Sequence, residues 1–343
     1  MKKIKIILPC VAILLVSVIL LGFLQALVMP KYMTVSKEGA LIAEYYRENT
    51  AHDVLFIGDC EVYEGFTPPT LWEEYGITSY IRGSAQQLAW HSYYLLEETL
   101  KYEMPKVVVY NVLALKYGEP QDEAYNRLTL DGMRLSATKL RAIDASMTED
   151  ESFASYLFPI LRFHSRWKEL GGEDLKYLFR RDLVSHNGYL MQTAQRGGVA
   201  GITPSPLADY TLPETSMEYL DKMRALCAEK GVELILIKAP TNDWKYHWYD
   251  EWDAQIVSYA ETHGLAYYNF IPLTDEIGID WQTDTYDVGV HLNVYGAEKL
   301  TAYFGKLLAA HHGLTDRRDD AVLSAVWQDK LTAYYAERNQ NEP

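Results

Sequence analysis

Five short apolar runs, each closed by Gly, Asn or Pro, decide what this chain can become. They are Asp53-Val-Leu-Phe-Ile-Gly58, Ile77-Thr-Ser-Tyr-Ile-Arg-Gly83, Pro105-Lys-Val-Val-Val-Tyr-Asn-Val112, Gly231-Val-Glu-Leu-Ile-Leu-Ile-Lys-Ala-Pro240 and Leu265-Ala-Tyr-Tyr-Asn-Phe270. Runs this short and this continuously apolar read as strands buried on both faces. Helical patterns lie between them, at about 85–103, 215–230, 250–263 and 296–312. Alternation of that kind predicts an α/β fold: a three-layer α/β/α sandwich with about five parallel strands. In such a sheet every strand ends at the same edge, and ligands bind there.

Residues 117–213 break the rhythm. Thr148-Glu-Asp-Glu151 has the form of a capping box, and an aromatic-rich helix is expected beyond it through Phe153, Tyr156, Phe163 and Trp167. Gly197-Gly198, Pro204 and Pro206 then mark loop. This stretch is expected to be a helical insertion, either over the C-terminal edge of the sheet or as a packing subdomain with no part in the site; periodicity fits both. A connector occupies 32–50, and Asp316–Asn339 predicts a last amphipathic helix. The expected organisation is therefore an anchor over 1–31, an α/β domain over 32–315 carrying the insertion 117–213, and a C-terminal helix and tail over 316–343.

The anchor is legible from charge. Ile6 to Met29 holds no charged residue and follows Lys2, Lys3 and Lys5. At ~1.5 Å per helical residue such a run is long enough to cross a hydrocarbon core of ~30 Å. Lysines ahead of a span keep the N-terminus cytoplasmic, which predicts a single-pass cell-membrane protein with its body outside the cytoplasm. A cleaved signal peptide is the rival reading. The run is long for a signal core, and no A-x-A-like site precedes Pro30.

Beyond residue 31 the chain has 28 basic and 47 acidic residues, a balance of −19. A body that acidic does not fit nucleic acid. Three cysteines cannot build a disulfide framework. Cys227 shares an apolar helix face with Met217, Leu220, Met223 and Leu226, which predicts a core residue.

Two motifs carry chemistry. The first run ends in Phe56-Ile-Gly-Asp-Cys-Glu61, a strand turning sharply into a helix, where a side chain and adjacent backbone N–H groups face the sheet edge. Far along the chain, Tyr286-Asp-Val-Gly-Val-His-Leu-Asn-Val-Tyr-Gly296 is a loop that ends in His291 ahead of another helix. Cys60 as nucleophile and His291 as base thus fall at one edge. Asp284 and Asp287 compete to orient the imidazole, with Asp287 nearer. Flanking carboxylates at Asp59 and Glu61 would raise the thiol pKa if they turned inward.

Together these blocks resemble the GDSL/SGNH hydrolase superfamily, whose first block is Gly-Asp-Ser after strand one and whose last is Asp-x-x-His before the C-terminal helix. Gly58-Asp-Cys60 and His291-Leu-Asn…Gly296 are similar to them. Arg82-Gly-Ser84 resembles the second block, and Asn111 stands where the third block's Asn would be. The resemblance covers most of 53–115 and 231–312. It implies a flavodoxin-like strand order, catalytic Cys60, His291 and Asp287, and an oxyanion hole from Cys60, Gly83 and Asn111. It implies no metal or organic cofactor. Three departures stand out: Cys60 replaces Ser, Asp287 lies four residues before His291 with Val288 at the usual Asp position, and the third block lacks its Gly-x-Asn-Asp wording.

The layout also resembles membrane-anchored relatives that act in surface-polysaccharide O-acetylation or teichoic-acid D-alanylation. The expected function is thus an extracytoplasmic esterase or acyltransferase on cell-surface glycan acyl groups, with a surface glycan or teichoic-acid-like polymer and a membrane acyl-transfer protein as partners. Trp244, Tyr246 and Trp248, after the fourth run, would offer faces for a sugar. The alternative is a catalytically inactive protein of the same fold that binds glycan or assists polymer assembly.

Overall fold

The computed structural model describes residues 2–30, 37–198, 206–242 and 248–340. The chain opens with α1 (Lys2–Val28), α2 (Lys37–Glu44), β1 (Val54–Gly58), α3 (Cys60–Tyr63), α4 (Pro68–Tyr75), β2 (Ser79–Gly83), α5 (Ala89–Thr99) and β3 (Val107–Asn111). Five helices follow: α6 (Glu123–Leu130), α7 (Ala137–Ser146), α8 (Phe153–Leu157), α9 (Ile160–Phe163) and α10 (Gly172–Phe179). The return path is α11 (Glu214–Lys230), β4 (Glu233–Lys238), α12 (Asp250–His263), β5 (Ala266–Asn269), α13 (Thr274–Ile277), α14 (Val294–His311) and α15 (Ala321–Gln340).

All five predicted runs form strands, and every pairing is parallel, in the order β2-β1-β3-β4-β5. This is the flavodoxin-like order of doubly wound sheets. Strand parity builds both cores. Val54, Phe56, Val107, Val109, Ile235 and Ile237 pack with α14 residues such as Leu300 and Phe304. Their neighbours Leu55, Ile57, Val108, Tyr110, Leu234 and Leu236 pack with α5, α11 and α12 on the other side. Cys227 lies in this second layer with Leu220 and Met223, fully covered. Outside α4, α15 closes the first layer by stacking Trp327 on Trp72 at 5.3 Å.

The aromatic helix expected beyond Thr148 is broken. Glu151 does accept from the Thr148 N–H and hydroxyl, but it closes a turn, and α8 starts after Ser152, which makes no side-chain cap bond. Pro159 then ends α8, because a residue ahead of proline is pushed out of the helical region; Phe158 sits at φ −124°, ψ 80°. Nor does the helical part of 117–213 roof the sheet edge as a block. α7 lies against α5, α6 against α2, and α9 and α10 against α1. Contact with the edge comes from Thr129, whose hydroxyl meets Ser84 beyond β2 at 2.6 Å, and from the non-helical arm at 186–198. Along that arm Asn187 accepts from Ile81 at 2.9 Å, Leu190 donates to Tyr63 at 2.7 Å, and Gln192 accepts from Val294 at 2.7 Å.

α1 is long and apolar enough to cross a membrane over Ile7–Val28. Most of it stands clear of the body, and its last residues do not: Leu27 and Val28 are buried. Arg166, in the short 3-10 turn His164–Lys168, donates from Nη1 to the Val28 carbonyl at 2.8 Å and also to that of Met29. The carbonyls orphaned at a helix C-terminus thereby gain a cationic donor.

Candidate active site

The turn after β1 is built by its own side chains. Asp59 caps α3 by accepting from the Glu61 N–H at 3.2 Å. Cys60 is then the first helical residue, with its N–H free of any intrahelical acceptor by position. Gly83, paired with Gly58 in the sheet, has a close-approach reason to be glycine: a Cβ would meet the Gly58 carbonyl oxygen at 3.0 Å and Tyr63 at 3.2 Å.

The second motif reaches the same place by a tied loop. Thr285 bridges to Leu292. Asn293 caps α14 through the N–H groups of Tyr295 and Gly296 and donates to the Thr283 carbonyl at 2.7 Å. Gly296 must be small, because a Cβ would lie 2.6 Å from the Asp284 carbonyl oxygen. Val288 sits at φ +69°, in the left-handed region that a β-branched residue rarely adopts. That turn absorbs the extra residue between Asp287 and His291. The Asp287 carboxylate still accepts from the His291 backbone N–H at 2.8 Å and lies 2.6 Å from Nδ1. On the far side of the ring, Nε2 is 3.0 Å from Cys60 Sγ. Residues 231 positions apart thus form one hydrogen-bonded line of carboxylate, imidazole and thiol.

Asp284 is not the orienter. It is buried, accepts from the Asp280 N–H at 2.8 Å and pairs with Lys299 at 2.5 Å, tying the loop to α14. Tyr286 stacks on His291 with ring centroids 6.0 Å apart and donates to Glu64 at 2.8 Å. Gln192, on the arm, also donates to Glu64, at 3.2 Å.

Electrostatics set the protonation of the line. Burial pushes the Cys60 thiol up to about 11; His291 opposes this, and Asp59 and Glu64 add to it. Burial alone would pull His291 down. The sulfur and Asp287 on its two nitrogens outweigh burial and hold it well above its ordinary value. The first of those causes needs a charged sulfur, so the rise belongs to the thiolate–imidazolium form of the pair; beside the thiol, Nε2 is placed to accept its proton.

Two expected roles do not survive the geometry. Asn111 cannot serve an oxyanion: its Nδ2 donates to Glu61 at 2.9 Å and to Asp59 at 3.2 Å, and its Oδ1 accepts from the Ala239 N–H at 3.1 Å. Both amide hydrogens are spent. Trp248 is no sugar platform: it is buried, packs 5.8 Å from Trp252 and donates to Asp253 at 3.1 Å. Trp244 and Tyr246 lie outside the described residues.

Beneath Cys60 is a charged cluster that sequence reasoning missed. Lys238, at the end of β4 and fully buried, places Nζ 2.8 Å from both Glu61 oxygens and 2.8 Å from the Ala239 carbonyl. Glu61 thus answers Lys238 rather than the thiol. Asp59 has no such cation; burial first, then Glu61, push its carboxyl up to about 6 against Lys238 and Asn111. Lys116, in the turn after β3, is drawn down to about 8 by burial, with Glu61 opposing. A signal was present: Lys238 is a charge closing the apolar run Leu234–Ile237, at the end that faces the site.

No protein-family model matches the chain, and no curated protein matches it. Among solved structures, a candidate acylhydrolase from Bacteroides fragilis is similar over 79% of this chain and 95% of its own, with a TM-score of 0.38 and 13% sequence identity.

Proposed function

We propose that this chain is an SGNH-type acyl-transfer enzyme, an esterase or acyltransferase with Cys60 as nucleophile, that works outside the cytoplasm on acyl groups of a cell-surface glycan or teichoic-acid-like polymer while α1 holds it in the membrane. The observation that carries this reading is the line Asp287–His291–Cys60 at the C-terminal edge of the sheet, with its 2.6 Å and 3.0 Å contacts. Asp287 keeps the proton on Nδ1, which leaves Nε2 to accept. Sγ attacks the acyl carbonyl carbon while its proton passes to Nε2. The oxyanion meets the Cys60 backbone N–H. The intermediate then collapses, the alcohol leaves with the proton from Nε2, and a thioester remains on Cys60. Water or an acceptor hydroxyl attacks the thioester carbonyl next, giving its proton to Nε2; the C–S bond then breaks, Sγ leaves with that proton, and the acid or the new ester is released. The lysines before α1 support the outward body.

The test uses the purified full chain with aryl acyl esters and an O-acylated surface glycan. Peptide mass mapping should find an acyl group on Cys60. Cys60→Ala and His291→Ala should abolish turnover to a similar degree, since members of such a unit fail together. Cys60→Ser should keep measurable activity, because the hydroxyl meets the same base. A wild type that neither turns over nor is acylated across the panel would leave the non-catalytic glycan-binding reading instead. Full activity in Cys60→Ala would move the nucleophile elsewhere.

A further inference from the structure

Around the end of α1 the surface changes character. The chain as a whole carries −15, yet residues 158–183 hold six basic and four acidic residues. The same stretch leaves large apolar side chains uncovered: Leu161 is 56% exposed, Trp167 61%, Leu175 49% and Phe179 86%. Leu175 and Phe179 are four residues apart on α10 and share a face. Lys176 and Arg180 each follow one of them, 52% and 76% exposed at the side chain. Their ion pairs, to Glu173 at 3.6 Å and Asp182 at 3.1 Å, are at the surface and open to exchange.

Position says what covers this patch. Trp167 follows Arg166, the residue bonded to the last carbonyls of α1. The apolar stretch of α1 is 22 residues, about 33 Å at helical rise, close to one hydrocarbon thickness. Val28 therefore falls near the boundary between hydrocarbon and headgroups, and Trp167 is next in sequence to the Arg166 that holds its carbonyl. Trp is the residue that prefers this level, and basic side chains with apolar neighbours are what an anionic bilayer surface binds.

We propose, resting on the reading that α1 crosses a bilayer, that residues 158–183 are a second membrane contact. They lie on the surface of that same bilayer, Trp167 and Phe179 enter the headgroup boundary, and Lys176 and Arg180 bind the phosphates of anionic phospholipid. The contact fixes the tilt of the body, which one helix alone leaves open.

Eight tryptophans are in the chain and none is in α1, while Trp167 is the one within 158–183. The full chain is reconstituted into vesicles of phosphatidylcholine and phosphatidylglycerol in equal parts, with phosphatidylcholine brominated near the top of its acyl chains. Bromolipid should quench part of the wild-type tryptophan emission, and Trp167→Phe should remove most of that quenched part. Lys176→Glu with Arg180→Glu should reduce it, as should vesicles of phosphatidylcholine alone. Co-flotation with the vesicles but no bromolipid quenching overturns the surface contact and leaves the anchor standing, as does quenching unchanged in Trp167→Phe. Quenching indifferent to phosphatidylglycerol and to the charge reversals overturns the anionic-lipid assignment. Failure to float with the vesicles overturns both anchor and contact. A detergent-solubilised dimer that Phe179→Ser dissociates would assign the patch to a second copy instead.

Discussion

Asp59 adds a negative charge that works against a thiolate at Cys60. Its carboxyl sits next in sequence to the thiol, and burial with Glu61 outweighs Lys238 and holds it up to about 6. Asn keeps the cap, because Asn and Asp serve equally at that position, and it removes the charge. Asp59→Asn should therefore move alkylation of Cys60, followed by peptide mass mapping, to lower pH by on the order of one unit. A second effect has the opposite appearance. The folded state binds the Asp59 proton more tightly than an ordinary carboxyl near 3.8 does, so this group stabilises below that value and its contribution is lost as pH rises through about 6. Asp59→Asn should abolish that loss, and its melting temperature relative to wild type should climb between the two values. Lys238 behaves differently. It is fully buried on Glu61, and Lys238→Met would strand the carboxylate at a cost of about 3–5 kcal/mol. Denaturant unfolding should show that loss, and it should shrink when Glu61→Gln is added.

At the level of elements, the 285–292 loop stores strain where the site needs reach. Val288 in the left-handed region costs on the order of 1 kcal/mol relative to glycine. Val288→Gly should raise stability by about that much in thermal unfolding while the Asp287–His291 contact persists. Trp327→Ala on α15 should cost about 3–5 kcal/mol by opening the stack on Trp72. The strands were legible because burial on both faces leaves a continuous apolar run, and Cys60 and His291 were legible because parallel strands end at one edge. Asn111 was misread for a reason of the same kind. Its place at the end of β3 is a matter of sequence, but what its amide bonds to depends on Glu61 and Ala239, brought in from other elements. Trp248 shares that fate: being aromatic near the edge does not say which way the ring turns. The broken helix at Pro159 is a local rule that the aromatic spacing obscured.

For the molecule as a whole, the apolar stretch of α1 and its junction with the body matter most. If α1 spans a bilayer, alkaline carbonate should leave the full chain in the pellet. Leu14→Arg with Val18→Arg should release it, since each arginine near a helix centre costs about 2.5–3.5 kcal/mol on insertion. The junction has its own meaning. Arg166 grips the end of α1 with a charged donor on backbone carbonyls, so helix and body turn together, as an arm rather than a leash. A catalyst on a leash sweeps a volume that grows with the cube of its reach. On the proposed reading, one on an arm keeps the Cys60 sulfur at a set altitude above the lipid. Acceptors confined to that layer then meet it by lateral diffusion, at a local concentration fixed by geometry and indifferent to dilution in the surrounding medium.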